Sequence, residues 1–137
     1  MSGNWEESAG ECGRPNATID GLEAGDDLSS ATGLLVTLGS DGKLYKYDPS
    51  THASRMAAFC QNRPSPGGKS VLQLTGFVTG LAKGAIAASD RLAPATAGDI
   101  GKVKTWAAGN VTVGFAVRGS ADGEPVLLYI HHEIAST

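Results

Sequence analysis

From position 34 onward, short apolar runs alternate with turn signals, the pattern of strands joined by tight connections. LLVTL (34–38) precedes GSDG, where Asp41-Gly42 predicts a hairpin turn with positive φ. KLYKY (43–47) alternates in character and ends at Asp48-Pro49-Ser50, because proline has no N–H to give to a ladder. RMAAFCQ (55–61) and SVLQLTGFV (70–78) predict two further strands around the turn-rich NRPSPGG. DRLAP (90–94), KVKTW (102–106), TVGFAVR (112–118) and PVLLYIHH (125–132) continue the series, and LAKGAIAASD (81–90) reads as a packed loop. Leu72, Leu74, Val113, Phe115 and Leu128 are the expected core, whereas Phe59 could face either way.

Residues 1–30 lack this pattern. Gly, Ser, Ala, Asp and Glu dominate, and Trp5, Ile19, Leu22 and Leu28 stand isolated with no period of 2 or 3.6. The expected organisation is an extended N-terminal arm over 1–30 and a single β domain over 31–137. An arm without a core cannot offset its own ordering entropy, so it is expected to be either disordered or ordered by a partner. Trp5, Ile19 and Leu22 are its candidate anchors on a neighbouring subunit, since buried aromatic and apolar residues dominate interface energetics.

The two stretches 34–78 and 90–132 suggest an internal repeat. Gly42-Lys43-Leu44 matches Gly101-Lys102-Val103, the run from Met56 to Gln61 matches that from Val113 to Arg118, and Val71 matches Val126. A single repeat is too short to bury its own apolar face, so two must pack together. The predicted fold is all-β, a compact antiparallel barrel or sandwich built from two similar halves.

Composition sharpens this picture. In 137 residues, 19 glycines and 6 prolines leave little room for long helices, and an aromatic share of 6% leaves the core to Val, Leu, Ile and Ala. A net charge of -3 without any basic cluster speaks against nucleic acid as a partner. No stretch has the length and apolarity to cross a bilayer, and the polar start lacks a secretory signal, so synthesis in a cytoplasm and no membrane contact are expected. Cys12 and Cys60, far apart and outside any CxxC, read as free thiols.

Motifs that would indicate catalysis fall short. Pro66-Gly67-Gly68-Lys69-Ser70 resembles the end of a phosphate-binding loop, but Arg63 occupies the place of its first glycine and a strand follows where a helix is required. His131 and His132 point to opposite sides of a strand and cannot converge on one metal. Ser40, Ser50 and Ser54 sit in turns, with no nucleophile elbow. Neither an enzyme nor a cofactor or metal site is predicted.

The run from Ile86 to Ile130 resembles the C-terminal half of the small decoration, or cement, proteins of tailed-phage capsids. The matching elements are Ile86 to Leu92, Gly101 to Val103, Val113 to Ala116 and Gly123 to Val126; Ser89 stands where that family has glycine. LLVTLGSDGKL and SVLQLTG resemble the first half more loosely. The resemblance implies a β-tulip-like head-stabilising protein on the outer capsid surface of the virion. It would clamp adjacent major capsid protein subunits after expansion, with copies of itself grouped as trimers. The alternative from another class is a bacterial β-barrel ligand- or carbohydrate-binding module, which calls for a row of exposed aromatics; Trp5, Trp106, Tyr45, Tyr47 and Tyr129 are not grouped in sequence.

Overall fold

The computed structural model describes residues 18–52 and 55–133, and is all-β apart from one short helix. The first half contains β1 (Thr18–Glu23), β2 (Leu34–Leu38), β3 (Leu44–Lys46), α1 (Pro49–His52), β4 (Ala58–Cys60) and β5 (Lys69–Gln73). The second contains β6 (Phe77–Leu81), β7 (Arg91–Pro94), β8 (Val103–Thr105), β9 (Thr112–Ala116) and β10 (Pro125–Glu133). Each half forms one antiparallel five-stranded sheet, ordered β1-β5-β4-β2-β3 in sheet A and β6-β10-β9-β7-β8 in sheet B. These two orders are the same topology, strand for strand.

The correspondence extends to single residue pairs. Leu35 pairs with Phe59 as Arg91 pairs with Phe115, and Cys60 pairs with Leu72 as Ala116 pairs with Leu128. Parallel bridges, Ala24 to Leu44 and Ala82 to Val103, link the end of the first strand of each sheet to the third, so both sheets curl toward barrels. Ala24 N–H donates to the Gly68 carbonyl at 2.9 Å, and Ala82 N–H to that of Glu124 at 3.0 Å. Gly42 and Gly101 are true counterparts, both with positive φ.

Elsewhere the repeat differs from the sequence expectation by one residue and by its limits. Ser70 rather than Val71 corresponds to Val126, and Ala58 rather than Ala57 to Gly114, as the ladders fix. The halves run over 18–73 and 77–133, because SVLQLTGFV is two strands: Gly76, at φ 89, breaks the run, and β6 opens the second half. β1 holds the equivalent place in the first half, with one extra residue absorbed in a bulge at Gly21.

β1 lies within the stretch expected to be an arm without a core. Thr18–Glu23 pairs along β5, and Ala24 and Leu28 are enclosed in the core. Their isolation along the sequence arises because strand and loop each bury only one or two side chains, leaving no period to read. The expectations for residues 1–17, Trp5 and Cys12 included, lie outside the described residues; Cys60 is a buried free thiol.

Two apolar clusters fill the molecule. Ala24, Leu28, Leu34, Val36, Leu44, Ala58, Cys60 and Leu72 fill the inside of sheet A. The other cluster joins the inner side chains of sheet B, among them Leu92, Val103 and Leu128, to Leu35, Tyr47 and Phe59 from the outer side of sheet A. The unbroken run LLVTL follows from this arrangement. A strand buried on both faces needs apolar residues at consecutive positions. In sheet B, β7 likewise buries the consecutive residues Leu92, Ala93 and Pro94, whereas β10 alternates, with Val126, Leu128 and Ile130 inside and Tyr129 and His131 exposed.

Candidate functional site

The outward face of sheet B carries a line of side chains fixed by strand register. Phe77, Tyr129, Phe115 and Arg91 lie opposite one another across β6, β10, β9 and β7. Phe77 is 53% exposed, Tyr129 47% and Phe115 39%, with Val117 at 46% just past the end of β9. Single exposed apolar residues are ordinary, but a contiguous group marks an interaction surface.

Pairwise contacts order these rings. Phe77 and Tyr129 meet edge to face at 5.2 Å between centroids, and Phe115 tilts against His131 at 5.8 Å. The Arg91 guanidinium lies 4.1 Å from the centre of the Trp106 ring, a cation–π stack. Its Nε donates to Thr112 Oγ1 at 2.6 Å, and its far nitrogen approaches Glu133 at 3.4 Å. Trp106 Nε1–H donates to the Asn110 carbonyl at 2.9 Å. The face therefore combines fixed aromatic surface with one held positive charge.

Of the sequence-predicted anchors, Ile19 is exposed on β1, while Leu22, across the Gly21 bulge, is partly buried against the first core. Trp5 falls outside the described residues. The structure places Ile19 on sheet A, apart from the aromatic line of sheet B. Phe115, expected inside, is outside; Leu74 is only partly buried; Leu72, Val113 and Leu128 are enclosed, as is Phe59. The signal for the exposed face was Arg91. Where the first strand run of the repeat has Leu35, the second has an arginine, and a charge paired with Phe115 across the ladder marks an open surface.

The remaining polar groups are absorbed in local structure. Gly39, Ser40, Asp41, Tyr45, His52 and Arg55 line an open depression of about 300 Å³. There the Tyr45 hydroxyl donates to the Asp41 carboxylate, which lowers the acid and raises the phenol from their ordinary values. His52 Nδ1 accepts from Asp48 N–H at 3.0 Å, and Arg55 donates to the Leu38 carbonyl at 3.2 Å. Gly67 and Gly68 give their amides to the carbonyls of Ala24 and Ser65, each at 2.8 Å, so that loop offers no phosphate cradle. His131 is exposed, whereas His132 is half-buried; burial pushes its imidazole below the ordinary 6.5, and its Nε2 has no hydrogen-bond partner among the described residues. Among those residues no group of three or more His, Cys, Asp or Glu is arranged to hold a metal, and no helix is long and apolar enough to cross a membrane.

No protein-family model and no curated protein matches this chain. A solved structure shares its fold: the N base of head fiber gp8.5 of bacteriophage phi29, with a TM-score of 0.59 and 14% identity over 89% of this chain and 99% of that one.

Proposed function

We propose that the chain is a structural, non-enzymatic protein of a phage head. In this reading it sits on the outer capsid surface of the virion and clamps neighbouring major capsid protein subunits of the expanded shell. The observation that carries this is the likeness of fold to the N base of the phi29 head fiber, over 89% of this chain and 99% of that one. The motifs between Ile86 and Ile130 support the same class independently. Physically the role needs a rigid body with exposed contact surface and a segment that reaches a neighbour. Two or more weak contacts on a repeating shell then add through effective concentration. Trp5, with the segment before β1, supplies the reach, and the body supplies the rigidity.

Co-sedimentation with heads lacking the protein tests this. Saturable binding to expanded heads, weaker on procapsids, is expected; no binding to either refutes it.

The aromatic line on sheet B favours one second reading, a carbohydrate-binding module, because sugars stack on exposed rings. Its geometry argues the other way: Phe77 and Tyr129 are inclined by 64° to each other, so they present no common flat platform. A glycan array with specific hits lost on Tyr129→Ala would establish that reading instead.

A further inference from the structure

The duplication supplies a template for how the exposed face is covered. In sheet A the outer positions Leu35, Phe59 and Tyr47 are enclosed by the second half. Two elements accomplish this. The ring of Phe59 comes within 3.1 Å of where a side chain at Gly80 of β6 would begin, and Gly33 abuts the Thr79 backbone. At the turn before β8, the Gly101 carbonyl accepts from Leu35 N–H at 2.8 Å, and Gly101 packs on Leu34 and Lys46. One half thus receives, and the other half docks with its first strand and its β2–β3-type turn.

Each role has a counterpart that is open. The receiving positions repeat in sheet B as Arg91, Phe115 and Trp106, with Phe115 at 39% exposure against 1% for Phe59. The docking elements repeat in the first half as β1 and the turn at Gly42. Ile19 is 41% exposed where its counterpart Val78 is 3%. Gly21 and Gly42 face open space, whereas Gly101 is packed.

We infer that the chain associates with further copies of itself head to tail, β1 and the Gly42 turn of one copy packing on the outer face of sheet B of the next, as the second half packs on the first. Such an interface is heterologous: the two surfaces differ, and each copy carries both. It extends the repeat from two units within a chain to units in succession. This goes beyond attachment to a head and stands or falls separately, because it is read in solution without capsids.

Sedimentation equilibrium of the full chain up to about 1 mM tests it, a range that reaches weak interfaces. Wild-type protein is expected to assemble with rising concentration. Ile19→Glu and Phe115→Glu, both at exposed positions and checked for folding by circular dichroism, should each remain monomeric. Mixed together they should form a one-to-one dimer that grows no further, because one variant keeps a sound receiving face and the other a sound docking strand. Three results would overturn the inference: a wild type monomeric throughout, assembly unaffected by either variant, or no dimer in the mixture. Loss of occupancy on heads by Phe115→Glu with unchanged self-association would assign the face to the capsid instead.

Discussion

Phe59 and Phe115 occupy the same place in the two halves and meet opposite environments. Phe59→Ala removes a ring enclosed between the sheets and should cost about 3–5 kcal/mol, whereas Phe115→Ala, on the open face, should stay within about 1 kcal/mol. Urea unfolding of both variants checks this, and similar losses would mean that the two faces are equally packed. Ser89 has a φ of 75°, the single non-glycine with positive φ among the described residues, and it stands where the resembling family has glycine. The left-handed conformation costs an L-residue about 1–2 kcal/mol, partly offset by the greater chain entropy that glycine loses. Ser89→Gly should therefore raise stability by about 1 kcal/mol or less; a decrease would show that the Ser89 side chain compensates. At this scale the sequence was readable where burial is one-sided, as at Leu72 and Leu128. It misled at Phe115, because alternation identifies two faces without saying which is covered.

Among the elements, β1 revises the boundary of the attachment segment. Removing residues 1–17 should leave the melting temperature of the free protein nearly unchanged, while removing 1–30 deletes an edge strand and the enclosed Leu28 and should abolish a cooperative transition. Equal behaviour of the two truncations would contradict the role of β1 in the fold. β10 carries a titratable group near its end: burial lowers the His132 pKa below 6.5. Below that pH the unfolded chain binds a proton that the folded chain resists, so stability falls as pH drops from 6.5 toward the folded pKa, then levels. The carboxylates of Asp27, Asp41, Asp48 and Asp99, lowered chiefly by hydrogen bonds from Ser29, Tyr45, Ser50 and Lys102, add to the loss only below 3.8. Denaturation midpoints at pH 8, 6.5 and 5 should show the first decline, and His132→Gln should flatten it. Most strands were legible from turn residues, including the Gly42 hairpin. β1 was not, because its edge position leaves Thr18, Ile19 and Asp20 exposed and its bulge breaks alternation.

For the whole molecule, the repeat is the organising fact. Two copies of one five-stranded topology pack so that Phe59 on the outer side of the first is sealed by the second, while Phe115 at the matching position of the second stays exposed. The sequence revealed that there were two units but not this asymmetry, since the residues that seal Phe59 lie in a strand and a turn remote from it in sequence. The proposed attachment to a head draws on the fold shared with the phi29 head-fiber base and on the exposed aromatic face of sheet B. If Trp5 anchors the segment ahead of β1, Trp5→Ala should weaken binding to heads by about 1–2 kcal/mol while leaving the melting curve of the free protein unaltered. Clamping has a consequence that attachment alone lacks: the shell itself must become harder to open. The direct measurement is the temperature at which expanded, genome-filled heads lacking this protein release their DNA, before and after saturation with purified chain. A rise on saturation, lost when residues 1–17 are removed, is the predicted result; heads that bind the protein fully and open at an unchanged temperature would contradict it.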